Sequence, residues 1–148
     1  MADARKTQIL DALLASLTTV TTTNGYTRTV KSVHRSATGI PAMANMDAVC
    51  ILSADVRKDH LVSSTVATMT VTLLAMVEER RELEAAIDAL EADIEKALGV
   101  DPSLGGLAID TKVMAAREAV SEELEGLGGT VLEIEIKYRH RVGDPYTA

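Results

Sequence analysis

The sequence contains neither tryptophan nor phenylalanine, and it has only three tyrosines among 148 residues. Proteins that bind single-stranded nucleic acid by stacking its bases rely on aromatic side chains, so the composition disfavours that class. The formal net charge of -7 also argues against binding a phosphate backbone, which depends on clustered lysine and arginine. Hydrophobic residues still make up 47% of the chain, so we expect a core of aliphatic side chains and methionine in one domain spanning residues 1–148.

Cysteine occurs once, at Cys50, which excludes an intrachain disulfide and a zinc site made of several cysteines. Its position in an apolar run, residues 48–52, favours a small buried side chain over a nucleophile. The histidines His34, His60 and His140 do not have the spacing of metal ligands. His34 and His140 could approach each other only if their strands were neighbours, and they would still supply just two ligands. We therefore expect no metal site.

Sequence motifs for catalysis are also missing: there is no phosphate-binding loop, dinucleotide fingerprint or nucleophile elbow. The carboxylates of residues 78–95 lie among basic residues on a predicted helix, where ion pairs one turn apart explain them. No apolar run approaches the roughly 20 residues that span a bilayer, and the N-terminus lacks the features of a secretory signal. The sequence predicts an intracellular protein with no membrane segment and no cofactor, and not an enzyme.

Two stretches have the hydrophobic periodicity of amphipathic helices, residues 3–17 and 78–98. Gly99 and Pro102 follow the second stretch, which predicts that this helix ends with Gly99 in the C′ position. Its apolar spacing also occurs in coiled coils, but the repeat is too short to make one convincing. A helix that lies across a sheet is the favoured interpretation.

Apolar runs predict strands at residues 26–34, 48–56, 64–77, 107–120 and 130–141. The clearest is 64–77, where threonine and valine dominate and the alternation is sustained. Residues 18–25 predict a threonine-rich loop, 39–41 (GIP) a break, and 121–129 an acidic, glycine-rich connection. The order helix, three strands, helix, two strands predicts an α+β fold, in which a mostly antiparallel sheet of about four to five strands packs against two helices.

Charge is distributed unevenly along the chain. The first and last predicted strands are basic, while the second helix and residues 121–129 hold excess acid. Patches of opposite charge attract one another and can join copies of a chain head to tail, although charge alone favours a merely solvated surface. We predict an assembly interface that includes a basic strand edge and the loops 18–24, 57–60 and 121–127, with the candidate residues Arg28, Lys31, Arg35, Arg57, Lys58, Asp59, Lys137, Arg139 and Arg141.

The segment DPSLGGL, residues 101–107, follows the long helix and precedes a strand. Asp101 and the proline after it end the helix, Leu104 and Leu107 can anchor the turn in the core, and the two glycines permit positive φ. This motif, the order of elements around it, the break at Pro41 and the closing EIEIKYRHRVGDPY resemble the tail-terminator proteins of long-tailed bacteriophages, also called tail-completion or minor tail proteins. The resemblance covers most of the chain.

The resemblance implies a small α+β subunit that forms a hexameric ring in the virion, at the head-proximal end of the tail, after assembly in the host cytoplasm. Such a ring caps the tail tube, ends its polymerisation and provides the surface to which the head–neck connector attaches. The implied partners are further copies of the chain, the tail tube protein and the connector. The ring lumen leaves room for DNA without sequence-specific binding, and no catalytic residues are implied.

Two alternatives remain open from the sequence. A head-closure or neck adaptor protein of the same virion would use similar surfaces with a different partner. A small α+β enzyme or ligand-binding protein would need a pocket between sheet and helices with convergent polar groups, which the apolar faces of the predicted elements disfavour.

Overall fold

A computed structural model describes residues 3–35, 47–120 and 126–147 of the chain. It confirms the predicted α+β class and the order helix, three strands, helix, two strands. In chain order the elements are α1 (Arg5–Thr18), a 3-10 turn (Thr22–Asn24), β1 (Ser32–His34), β2 (Ala48–His60), β3 (Thr65–Glu78), α2 (Leu83–Val100), β4 (Asp110–Val120) and β5 (Leu127–His140). The predicted break at residues 39–41 and residues 121–125 of the predicted connection lie outside the described residues.

The strands form one five-stranded sheet in the order β1-β2-β3-β5-β4. β1 pairs with β2 in parallel, and the other neighbouring strands are antiparallel, which confirms the mostly antiparallel prediction. β5 is hydrogen-bonded on both sides, to β3 and to β4. The prediction that the last strand forms part of a basic edge is therefore wrong, and its charged residues belong to a face of the sheet.

Burial alternates along β3 and β5 because successive side chains of a strand point to opposite faces of the sheet. Every second residue from Thr65 to Val77 is buried, and the residues between them are half-buried. On β5 every second residue from Leu132 to His140 is buried in the same way. These side chains pack into the main core, so the apolar side of the last strand holds it to the core as predicted.

Both helices cover this buried face of the sheet. α2 contacts β3, β4 and β5, and α1 packs beside α2 and against β1. Their apolar stripes join the strands in one continuous cluster, which confirms that the second helix lies across a sheet. Each fully buried leucine or isoleucine in that cluster stabilises the fold by about 1.5–3 kcal/mol through its removal from water.

The DPSLGGL segment ends α2 and turns the chain towards β4. α2 continues beyond Gly99, so the prediction of Gly99 as its C′ residue is wrong. Asp101 organises the turn instead: its carboxylate accepts hydrogen bonds from Ser103 Oγ at 2.6 Å and from the Gly105 N–H at 2.8 Å, and these hold the pKa of Asp101 below its usual range. Leu104 is buried as predicted, and it has a φ of 50° next to two glycines with φ of 74° and 86°.

Most of the first predicted strand is a loop, because its backbone binds a helix instead of a neighbouring strand. Only Ser32–His34 pairs with β2. The N–H groups of Thr27 and Arg28 donate to the Asp93 carboxylate of α2 at 3.1 and 2.7 Å, which fastens this segment to the helix. β2 is longer than predicted and reaches His60, since its charged end also pairs with β3.

Two β-bulges lie beside the same row of the sheet. The extra residue is Leu52 in β2 and Met114 in β4. Both bulges adjoin the row in which Thr72 of β3 pairs with Glu133 of β5. Bulges increase the local twist of a sheet, and both extra side chains are exposed. Neither bulge is apparent from the alternation of apolar residues in the sequence.

Candidate assembly surface

The sheet has a second face, away from the helices, which we call the outer face. Strand alternation places the charged residues of β5 together on it. Ala48 and Cys50, which alternate to the same face at the beginning of β2, are buried, whereas the side chains that we assign to the outer face are exposed or half-buried. The outer face consists of Ser53, Asp55, Arg57 and Asp59 of β2, Val66, Thr68, Thr70 and Thr72 of β3, Glu133, Glu135, Lys137 and Arg139 of β5, and Asp110, Lys112 and Arg117 of β4.

The charge on the outer face changes sign along the strands. Through their shared pairing with β3, Arg57 lies level with Lys137, and Asp55 lies level with Glu135. Arg139 follows two residues after Lys137, towards the end of the sheet where β2 turns into β3. The outer face therefore carries three basic residues at that end, Arg57, Lys137 and Arg139, which we call the basic band, and mainly acidic residues behind it. Asp59 is level with Arg139, Asp110 pairs with Lys137, and Lys112 pairs with Glu135, so each of these two regions also contains the opposite charge.

Ion pairs within the chain neutralise little of this charge. Lys137 Nζ lies 3.9 Å from Glu135 Oε1, and Lys112 Nζ lies 3.3 Å from Asp110 Oδ2. Exposed pairs of this kind contribute about 0–1 kcal/mol to stability. In the part of the chain that the structure describes, Arg139 forms no ion pair. Most of the basic band is therefore available to a partner of opposite charge.

The two basic groups predicted as one interface lie in different places. Arg28 donates to the Asp47 carboxylate from Nε at 3.1 Å and from Nη2 at 2.9 Å, so its charge is compensated inside the fold. Lys31 and Arg35 are exposed and flank β1, which two strands separate from β5. Lys58 is exposed on β2 but alternates to the helix side of the strand.

Exposed apolar side chains lie beyond the basic band, and we call them the apolar tip: Leu61, Val62, Val142 and Tyr146. Two of them belong to the turn between β2 and β3, where the Leu61 N–H donates to the Ser64 carbonyl at 2.8 Å. The other two belong to the turn after β5, which lies alongside because Thr65 pairs with His140. Arg141, also exposed, begins that second turn.

The helix layer carries a set of carboxylates on a different part of the surface. We define the acidic stripe as Glu84, Asp88, Glu91 and Glu95 of α2 together with Glu118 of β4. Steps of three and four residues place the α2 members on one side of the helix. A hydrogen bond with Asp88, then desolvation and the repulsion of the α2 carboxylates, raises the pKa of Glu118. Within the described ranges no basic side chain forms an ion pair with the stripe, so the prediction that ion pairs one turn apart explain these carboxylates is wrong for its α2 members.

Replacing Glu118 with glutamine is expected to raise the unfolding temperature near neutral pH. Because its folded pKa is raised, the contribution of Glu118 is most favourable below the ordinary value of 4.5 and is lost as the pH rises through the folded pKa. The advantage of the glutamine variant should therefore disappear in thermal unfolding below about pH 4. Glu133→Gln removes an exposed carboxylate from the outer face and is the control; an equal shift in both variants would contradict the repulsion at Glu118.

The strands of the sheet carry the cysteine and all three histidines. Cys50 is buried as predicted, and burial raises the pKa of its thiol. His34 and His140 lie on β1 and β5, which are not neighbours in the sheet, so the approach left open by the sequence does not occur. Among the described residues, no group of three or more His, Cys, Asp or Glu side chains could hold a metal ion. No helix in these ranges is long and apolar enough to cross a membrane.

Apolar side chains fill the layer between the sheet and the helices. Met69, Leu73, Ile87 and Leu90 have no exposed surface. Asp93 is a buried acidic group of this layer, and backbone N–H groups already occupy its carboxylate. Polar side chains, among them Arg28, Glu79 and Arg81, line an open cleft beside the beginning of α2.

No protein-family model and no curated protein matches the chain. Similar chains occur among solved structures, and one belongs to a structure titled "Virion of native gene transfer agent (GTA) particle". That chain is 12% identical to this one, the likeness covers 92% of both chains, and the TM-score is 0.47. A likeness at this level assigns no function to the chain.

Proposed function

We propose that this chain is a structural protein of a phage-like virion and, within that class, a tail terminator. Its copies form a ring, a hexamer by the family resemblance, that caps the tail tube and ends its polymerisation. The ring then provides the surface to which the head–neck connector attaches, at the head-proximal end of the tail. Its partners are other copies of the chain, the tube protein and the connector, and DNA has room to pass through the lumen.

The observation that carries this proposal is the outer face. It spans four strands that hydrogen-bond to one another along most of their length, so its side chains stand on a rigid support. A preorganised surface loses little conformational entropy when it docks, which favours assembly over a flexible or catalytic role. The uneven distribution of charge along this face fits a subunit that must recognise fixed neighbours in one orientation.

The DPSLGGL loop supports the resemblance from which the specific role comes. The motif forms an ordered turn, in which the carboxylate of Asp101 accepts a hydrogen bond from the backbone N–H of Gly105 and the buried side chain of Leu104 anchors the turn in the core. It stands between α2 and β4, where the order of elements in the resemblance places it. The proposal therefore rests on the whole succession of elements and not on a short glycine-rich match.

A closed ring can be stable even when each contact between two subunits is weak. Exposed charges contribute little individually, so two isolated copies would hold each other poorly. Once several copies close into a ring, each contact reinforces the others, and the ring meets a symmetric tube end at several sites at once. Such avidity stabilises the cap without a large apolar interface.

The ring is tested by sedimentation velocity and negative-stain imaging of the purified protein, alone and with tail tubes. We expect rings in solution or at tube ends, together with tubes that no longer elongate. A monomer under all conditions, including an excess of tubes, would refute the proposal. Rings that bind isolated connectors but never tube ends would instead indicate the neck adaptor role.

The double variant Arg139→Glu with Arg141→Glu is expected to fold normally and to weaken ring or partner assembly by about tenfold or more, because it reverses one charge of the basic band and one charge next to it. Circular dichroism checks the fold, and sedimentation at physiological salt measures the assembly. The control is Lys31→Glu with Arg35→Glu, which makes the same change of charge near β1. Unchanged assembly in the first variant, or an equal loss in both, would rule out a specific role for the basic band.

A further inference from the structure

The composition of the apolar tip is unusual for two neighbouring turns. Turns normally contain glycine, proline, asparagine, aspartate or serine, yet the turn after β2 begins with Leu61 and Val62, and Val62 is fully exposed. Val142 and Tyr146, both about half exposed, lie in the adjacent turn. Single exposed apolar residues are common, but a cluster of them with a polar rim is typical of a site of protein contact.

Basic groups dominate the rim of the apolar tip. Arg57, Arg139 and Arg141 are exposed near it, whereas Asp59 and Asp144 are the nearby acids. The Asp144 carboxylate accepts hydrogen bonds from the Thr147 hydroxyl at 2.8 Å and from the Tyr146 N–H at 3.1 Å, and it keeps its negative charge, so the arginines outnumber the acids by three to two. A partner for the tip should therefore combine apolar contact with negative charge.

The acidic stripe on the same chain has the complementary properties. Like charges one helical turn apart destabilise a helix by a few tenths of a kcal/mol per pair, so the stripe costs the isolated subunit some stability. A neighbour that supplies arginine would relieve that repulsion. Met114, exposed at the bulge of β4, offers an apolar contact on the strand that carries Glu118.

Glu118, the β4 member of the acidic stripe, and the apolar tip lie at opposite ends of β5 within one subunit. The apolar tip lies beyond His140, at the end of β5, whereas Glu118 pairs with Thr130 near the beginning of that strand. A contact between them must therefore join two subunits. Because it involves two different surfaces, it leaves each subunit with one free tip and one free stripe, which is the arrangement that closes into rings.

We propose that the apolar tip and its basic rim dock onto the acidic stripe of a second copy of this chain, head to tail. This contact rests on the proposed ring and identifies the surfaces that form it. The apolar side chains supply the buried contact, and the arginines meet the carboxylates that have no basic partner within the described part of their own subunit.

A pair of charge-reversed variants tests this contact, under the conditions in which the wild-type protein assembles. The stripe variant is Asp88→Lys with Glu95→Lys, and the tip variant is Arg139→Glu with Arg141→Glu. All four side chains are exposed, so both variants should keep the wild-type circular dichroism spectrum. In sedimentation velocity, each variant alone should assemble at least about tenfold more weakly, because like charges then face each other.

An equimolar mixture of the two variants should assemble again. In the mixture, the reversed stripe meets the reversed tip, and the native stripe of one variant meets the native tip of the other. Alternating copies then satisfy every contact in a ring with an even number of subunits. A tip-to-tip contact would instead leave the stripe variant fully able to assemble alone, and that result would refute the proposal.

The apolar part of the contact has its own test. Val62→Asp should weaken assembly about as strongly as the reversed arginines, whereas Val100→Asp, at the exposed end of α2, should not. If wild-type rings form and neither reversal weakens them, or the mixture fails to restore assembly, this contact is wrong and the ring stands. If the wild-type protein forms no ring with or without tubes, the proposed function fails.

Discussion

Replacing Gly129 with alanine is expected to destabilise the protein by about 3 kcal/mol or to prevent its folding. Gly129 lies in β5 opposite Met76, and a Cβ at this position would meet the Ala75 carbonyl oxygen at 2.5 Å and Met76 Cα at 3.4 Å. These are backbone atoms of β3, which hydrogen bonds to β2 and β5 hold from both sides. The strand cannot move aside without breaking its ladder, so the added methyl group costs far more than its size suggests.

Urea unfolding followed by circular dichroism measures this effect, and Gly99→Ala is the matched control. Gly99 lies within α2, and a Cβ there would meet nothing within 4 Å. Because alanine loses less conformational entropy than glycine in a helix, this control should stabilise the protein by about 0.5 kcal/mol. A Gly129→Ala variant that unfolds at the wild-type urea concentration would show that the close approach of β5 to β3 does not exist.

Glycine 129 also shows where prediction from the sequence stops. Residues 121–129 predict a glycine-rich connection, yet Leu127–His140 is a strand that begins before Gly129. A glycine pair looks the same in a mobile loop and in a strand where another backbone approaches closely. The difference lies in Ala75, which is distant in the sequence, so no local pattern could reveal it.

Some helices and strands have a hydrophobic periodicity that does not depend on which element they pack against, and the sequence predicts these well. In residues 64–77, alternation alone identified the strand Thr65–Glu78, because burial on one face imposes a period of two wherever the strand lies in the sheet. The apolar stripe of α2 was equally informative, since one packed face of a helix imposes a period near 3.6. Such a periodicity indicates that one face of an element is buried, but it does not indicate which element covers that face.

The positions of the candidate interface residues in the fold are predictable to the same extent. Alternation placed Lys137 and Arg139 on one side of the last strand, and the structure places them there. Whether that side is an edge or a face depends on the order β3-β5-β4, which strand pairing across the chain decides. Arg28 was assigned to the same basic group because its partner, Asp47, lies 19 residues away and the sequence does not show that the two meet.

Replacing Asp93 with alanine is the second change expected to be severe, with a loss of about 3 kcal/mol. The side chain of Asp93 lies on α2 with only 4% of its surface exposed, and its two oxygens accept hydrogen bonds from the N–H groups of Thr27 and Arg28. Hydrogen bonds to a carboxylate are stronger than neutral ones, and alanine would leave both donors without their acceptor. The loop before β1 would then lose its attachment to the helix, and Arg28 would lose its position beside Asp47.

The loss of unfolding free energy should depend on how many hydrogen-bond acceptors the side chain at position 93 retains. Asp93→Asn keeps one side-chain oxygen of the same shape, so urea unfolding should place it between the wild-type protein and Asp93→Ala. Glu95→Ala removes an exposed carboxylate two residues further along the same helix, and its unfolding free energy should stay within about 0.5 kcal/mol of wild type. If Asp93→Ala and Glu95→Ala unfolded alike, the carboxylate of Asp93 would not be what holds the loop to α2.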